Sequence, residues 1–189
     1  MDRTKLSLIA AKLLDELTGS NKWRDDPTLK DTPRRVAEMY KEMLGGHEFK
    51  FTVFPNEEQY DEIVLEKQIP FTSICAHHLV PFFGHVSIAY IPGEYIVGLS
   101  KLPRTVELFA RRLQVQETLT QDIGKFLIKR LSPIGTAVII EAEHLCIRAR
   151  GIRKPGIITV TSYIKGAFRD NPDTRTELMF LLQQGRGGN

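Results

Sequence analysis

Cysteine is scarce in this chain: 189 residues hold only Cys75 and Cys146. Two thiols are too few for the disulfide framework of a small secreted domain, and a chain of this length buries enough core to fold without one. Charge of one sign is scarce as well. The 26 Lys and Arg against 23 Asp and Glu leave a net charge of +3. That is too mild for a nucleic-acid protein, so any anion site must come from local clustering. No apolar run approaches membrane-spanning length, and the amphipathic start MDRTKLSLIAAKLLDELTG lacks the apolar h-region of a signal peptide. No repeat recurs at solenoid periods, and the only biased segment is the final GRGGN, expected to fray. These absences predict a soluble, cytoplasmic globular protein with neither a membrane nor a nucleic-acid partner.

What is present is periodic. Leu6, Ile9, Leu13, Leu14 and Leu17 fall at helical spacing, and Gly19 is placed to end that helix. A second helix starts at Asp31 or Thr32, with Pro33 in its first turn, and stops at Gly45 and Gly46. IVLEKQIPFTSIC, HVSIAYIP and YIVGLS read as strands, the last two separated by the turn PGE. LPRTVELFARRL and ETLTQDIGKFLIKRL read as two consecutive helices. TAVIIEAEHLCIRAR reads as one long strand, which KPG turns into the strand IITVTSYIKGAF. DNPDTRTELMFLLQQ reads as a last helix capped around Asp173 or Thr174. The order predicts an α+β fold with a mostly antiparallel sheet. An N-terminal helical segment, residues 1–48, would precede the main domain, residues 49–189. If the long strand stays regular, its alternation puts His144, Cys146, Arg148 and Arg150 on one face and Glu141 and Glu143 on the other.

Both cysteines stand beside histidines. Cys75 is followed by His77 and His78 in SICAHHLVPFFGH, and Cys146 is preceded by His144. Free Cys is often only a small core residue, but chance rarely pairs both thiols of a chain with imidazoles. Two thiolates and one imidazole suit zinc, with a fourth position left for water as in catalytic sites. His77 and His78 point apart on an extended segment, so only one binds the same metal and the other is left for acid–base work. A disulfide and a thiol nucleophile with a histidine base stay open at this level, although the nucleophile leaves the second Cys–His pair unexplained. His47 and His85 lack such context and read as surface or hydrogen-bonded residues.

The stretch LSKLPRTVELFARR places Ser100, Lys101 and Arg104 where a strand gives way to a helix, a position that favours anions. Arg148, Arg150 and Arg153 follow the second Cys–His pair, and Arg34 and Arg35 lie in the second helix. Any one of these alone is an ordinary solvated cation; together with a metal they suggest a polyphosphate substrate. Gln116 and Glu117, in QVQETL, offer a carboxamide and a carboxylate able to read a guanine-like edge, though a helix cap would look the same.

Taken together, DTPRRVAEMY, SICAHHLVPFFGHVSIAYIP, VGLSKLPRTVELFARRLQVQETLT, EAEHLCIRARGI and TVTSYIKGAF resemble the GTP cyclohydrolase I family. They occur in family order from Asp31 to Phe168. The resemblance implies the tunnelling fold, in which antiparallel sheets of several subunits close an oligomeric barrel with helices packed outside. It implies a homodecamer with active sites between subunits. It also implies conversion of GTP and water to formate and 7,8-dihydroneopterin triphosphate, a first step of pterin or folate-type biosynthesis. Carried over residue by residue, Cys75, His78 and Cys146 would bind zinc, leaving water as fourth ligand to supply hydroxide to C8 of guanine. His144 would pass protons on the N7 side, and His77 would assist ring opening and later steps. Ser100 would act near the ribose ring oxygen and contact phosphate. Lys101, Arg104 and Arg150 would hold the triphosphate, with Arg35 reaching in from a neighbouring subunit. Glu117 would anchor the pyrimidine part of guanine, with Gln116 beside it.

The chain departs from the family's usual form at Ala76, often a glutamate, and at Pro103, usually small or polar. Neither change deletes a proposed ligand, so activity is expected. Two other readings compete: a non-catalytic, zinc-stabilised assembly protein, and a nitrile-reducing relative that uses a cysteine nucleophile and NADPH. The first needs a fourth protein ligand, for which His77 is awkwardly placed. The paired Cys–His segments and the Ser100–Lys101–Arg104 cluster count against the second.

Overall fold

The Asp2 carboxylate accepts hydrogen bonds from the backbone N–H groups of Thr4 and Lys5 and so starts helix α1, Arg3–Thr18. Gly19, left-handed at φ 63°, ends it. Helix α2, Thr32–Met43, carries Pro33 in its first turn, where a missing N–H costs nothing. In this computed structural model residues 1–46 and 48–184 are described; His47 and the GRGGN tail, for which expectations were given above, lie outside the described residues. The chain divides into two units, Met1–Gly45 and Gly46–Asn189. In the first, buried Trp23 donates to Asp15 at 2.8 Å beneath the Arg24 guanidinium. The helical period of α1 is as the leucine spacing predicts, but the face it marks is only partly covered: Leu6 and Leu14 are half-buried, while Ile9, Leu13 and Leu17 are 63%, 55% and 73% exposed.

The second unit is built on strands β1 (Val53–Pro55), β2 (Val64–Cys75), β3 (Pro81–Ile91), β4 (Tyr95–Val97), β5 (Leu113–Gln114), β6 (Gly135–His144) and β7 (Ile158–Gly166). Its helices are α3 (Lys101–Ala110), α4 (Gln116–Leu131), the short α5 (Leu145–Arg148) and α6 (Ala167–Asp170), and α7 (Pro172–Gln183). One sheet runs in the order β5-β2-β3-β6-β7, and β1 pairs with β4 in a separate two-stranded sheet. All pairs are antiparallel except β5 with β2. The expected α+β class, with two consecutive helices on a mostly antiparallel sheet, is what the chain forms.

Helices α3 and α4 lie on one face of the sheet because their apolar stripes demand cover. Leu102, Val106, Leu119, Ile123, Leu127 and Leu131 are buried against Phe71, Phe82, Ile88, Val138 and Ile140. Each such side chain contributes about 1.5–3 kcal/mol on burial, whereas an exposed ion pair such as Arg111–Glu107 gives about 0–1 kcal/mol. Burial, rather than surface ion pairs, therefore holds α3 and α4 on the sheet. A smaller cluster, Ala89, Ile91, Ala137, Phe168, Leu178 and Leu182, joins α6 and α7 to the sheet.

Two expectations are corrected. The predicted strand from Thr136 to Arg150 stops at His144, and Leu145–Arg148 turns into helix α5. The common face of His144, Cys146, Arg148 and Arg150 is therefore not formed by strand alternation. Arg148 instead bends back to Glu143, assigned above to the opposite face, at 2.8 Å. The other Glu143 oxygen accepts from the Gly156 N–H at 3.0 Å, tying down the loop that leads to β7. The last helix is capped by Asn171, whose side chain accepts from Asp173 and Thr174 N–H, rather than by those residues themselves.

Strand β2 carries an irregularity between Glu66 and Ile69, with Gln68 at φ 59°. Burial pushes the Glu66 carboxyl above its ordinary range. A carboxyl raised in the folded state costs nothing below its unfolded pKa and destabilises progressively as pH rises through the folded one. Glu66→Gln is therefore expected to gain stability over the parent as pH is taken from about 4 to 7. Urea midpoints at both pH values check it; equal differences would contradict it.

Candidate metal centre and its surroundings

Cys75 is the last residue of β2, and a tight turn follows it. Its N–H donates to Val80 O and its carbonyl accepts from Leu79 N–H, both at 2.9 Å, with Leu79 at φ 56°. This turn folds His78 back onto Cys75, so that Nδ1 and Sγ are 3.7 Å apart. Helix α5 delivers Cys146 to the same place, and the ligand atoms of Cys75, His78 and Cys146 all lie within 4.8 Å of one another. The two thiols are free, so the disulfide left open by the sequence is not formed.

The donor set fits a metal ion. Zinc bond lengths of about 2.3 Å to sulfur and 2.05 Å to nitrogen give a tetrahedral S···N edge of about 3.6 Å. The Cys75–His78 pair already has nearly this spacing. Two sulfurs and one imidazole are a soft set that favours zinc over magnesium or calcium. Burial, and next the neighbouring Cys75, push the Cys146 thiol up, while Arg150 pulls it down. His77 is not part of the group; its ring stands nearly perpendicular to that of His78, with centroids 6.2 Å apart.

His144 closes β6 one residue before α5. Its ring stacks on Phe82 with centroids 4.6 Å apart and planes 1° from parallel. Its Nε2 lies 2.7 Å from Gln116 Oε1. Burial lowers the His144 pKa, and the Glu117 carboxylate opposes this. Gln116 and Glu117 are the first two residues of α4; Gln116 is buried and Glu117 exposed. Ser100 stands at the cap position of α3 with Lys101 and Arg104 in its first turn, and Ser100 makes no capping bond to the helix. Ser100 and Arg104 are exposed. Arg150 is exposed beyond α5. Arg35, in the N-terminal unit, is 3.8 Å from Asp31.

The fold thus brings together Cys75, His78 and Cys146, and separately His144 with Gln116. Among the described residues, no side-chain hydrogen bond or ion pair joins Ser100, Lys101, Arg104 or Arg35 to either group. Phe82 was not singled out from the sequence, and Glu143 was placed there only on a strand face, with no partner assigned. Phe82 becomes a neighbour of His144 only through the β3–β6 register, in which the two are paired.

Comparison with known proteins gives a consistent result. The family described as GTP cyclohydrolase I matches residues 9–183. GTP cyclohydrolase 1 of Aquifex aeolicus is 50% identical over 167 residues, covering 88% of this chain and 91% of that protein. The protein of the same name from Pelotomaculum thermopropionicum is 47% identical over 180 residues, covering 92% and 94%. That from Halalkalibacterium halodurans is 42% identical over 189 residues, covering 97% and 98%.

Proposed function

Because the chain belongs to the GTP cyclohydrolase I family and is an enzyme of it, we propose that it converts GTP and water to formate and 7,8-dihydroneopterin triphosphate with zinc held by Cys75, His78 and Cys146. The observation that carries this reading is the convergence of those three ligand atoms. When bound, zinc supplies a Lewis acid and lowers the pKa of a water ligand toward neutrality. The remaining chemistry falls to side chains. His144 exchanges protons with the purine on its N7 side, and exposed His77 assists later transfers. The Glu117 carboxylate accepts from the N–H donors of the guanine edge, with Gln116 beside it. Lys101, Arg104 and Arg150 hold the triphosphate, and Ser100 serves ribose and phosphate at the open start of α3.

The sites complete themselves between subunits of a homodecamer, with Arg35 contributed by a neighbouring copy. Two bare apolar surfaces support self-association: Ile9, Leu13 and Leu17 on α1, and Ile158 and Val160, 53% and 59% exposed, on the edge strand β7. No helix among the described residues is long and apolar enough to cross a membrane. The proposed location is the cytoplasm, and the proposed pathway role is the entry step of pterin or folate-type synthesis.

Incubation of the zinc-loaded protein with GTP is expected to release formate and, after oxidation, to yield a fluorescent pterin in equal amount. Absence of both at full zinc occupancy would reject the reading.

A further inference from the structure

Gln116 is 2% exposed, and its side chain reaches strands far away in sequence. Its Nε2 lies 3.2 Å from Ile140 O, 3.0 Å from Thr159 O and 3.1 Å from Thr161 Oγ1. Two of these are backbone carbonyls, which only accept. The amide nitrogen must therefore face the sheet, and the orientation of the carboxamide follows from chemistry. The neighbouring hydroxyls agree. Thr120 Oγ1 lies 2.7 Å from Gln116 O and 2.6 Å from Thr161 Oγ1. A hydroxyl has one proton, and the Gln116 carbonyl has none to give. Thr120 must donate to that carbonyl, Thr161 must donate to Thr120, and Thr161 Oγ1 then accepts from Gln116 Nε2. The cycle begins and ends on Gln116 with every direction forced.

With its nitrogen committed, Gln116 presents Oε1 to His144 Nε2 at 2.7 Å. A carboxamide oxygen only accepts, so Nε2 must carry the hydrogen. In the neutral ring Nδ1 is then the nitrogen with the free lone pair, and among the described residues it meets no hydrogen-bond partner. The Phe82 stack fixes the plane of the ring, and the Gln116 bond fixes its rotation within that plane.

We propose that Gln116 is a positioning residue that holds His144 as its Nε2–H tautomer, making Nδ1 the atom that exchanges protons with the substrate. This rests on the acid–base role proposed for His144. A proton taken up at Nδ1 gives an imidazolium still bonded to Gln116, and its return to the substrate restores the starting ring, with no net change. Gln116 then acts through His144 rather than by reading guanine, since both of its N–H groups are spent on the sheet and Thr161.

Two measurements test this. In the first, nitrogen-15 spectra of the zinc-loaded, histidine-labelled full chain are recorded, with the His144 signals assigned by their loss in His144→Asn. A protonated Nε2 and a lone-pair Nδ1 are expected; the reverse tautomer would overturn the proposal. This reading stands whether or not GTP is turned over, so failure of the functional assignment is seen separately, as missing formate. In the second, Gln116→Met keeps length and removes the amide. It is expected to keep its zinc and the parent's KM for GTP while kcat falls by roughly 10–100-fold, below the full worth of a general acid–base group. A raised KM with unchanged kcat would mean that Gln116 reads the base, and the positioning role would be lost. Should the Met variant misfold, Thr161→Val removes one acceptor from the cycle; a smaller kcat loss at constant KM is expected, and a KM effect alone would count against the proposal.

Discussion

Cys146→Ser is expected to lose zinc and GTP-dependent formate release together, each by on the order of 100-fold under limiting metal. The candidate site offers three ligand atoms within 4.8 Å of one another, so removing one sulfur would leave one sulfur and an imidazole, too few to hold zinc against dialysis. Serine is close to cysteine in size, and Cys146 is only partly buried, so the fold itself should survive. An unchanged far-ultraviolet circular dichroism spectrum would show that it has. Metal analysis after dialysis and a formate assay on the same preparation then report the two losses side by side. Stoichiometric zinc with full activity would remove Cys146 from the site. Zinc loss with activity intact would remove the metal from the reaction.

The same site shows how far the sequence reaches. The pairing of each cysteine with a histidine pointed to a soft metal site, because ligand chemistry follows residue type and spacing, but the choice of His78 over His77 came from the family resemblance. The route by which Cys146 arrives was not legible. VIIEAEHLCIRAR alternates without a glycine or proline before Gly151, so period-two reasoning carries the strand through to Arg150. The chain turns at His144, and Glu143 ties the turned segment by accepting from both Arg148 and the Gly156 N–H, contacts that exist only once the loop has folded back. Gln116 is a second case. In sequence it looks like a helix cap or a base-reading amide, and its partners on β6 and β7 lie 24 and 43 residues away. The stripe on α1 is a third. Its period is right, but periodicity marks a face that wants cover without saying what covers it. Fold class and the Cys–His pairs that make a candidate metal site were thus written locally, whereas register and buried polar partners were not.

Register is also where the largest stability effect is expected. Gly84 lies in the central strand β3, paired with Phe71 on β2 and Ala142 on β6. A Cβ added there would lie 2.7 Å from Ala142 Cα and closer still to the Glu141 carbonyl oxygen. Both are backbone atoms, so no side-chain rotation relieves the overlap and β3 must move away from β6. That breaks ladder hydrogen bonds in the middle of the sheet and, two positions on, the pairing of Phe82 with His144. Gly84→Ala is therefore expected to cost about 4 kcal/mol or more, lowering Tm by roughly 8–16 °C for a domain of this size. Gly151→Ala is the contrast. Gly151 has φ 63° with nothing within 4 Å of an added Cβ, so only left-handed strain of about 1–2 kcal/mol is at stake. Calorimetric melting of both variants separates steric from conformational cost. If Gly84→Ala melts as late as Gly151→Ala, then β3 and β6 do not approach as closely at Gly84 as described, and the support they give to His144 is looser than the Phe82 stack implies.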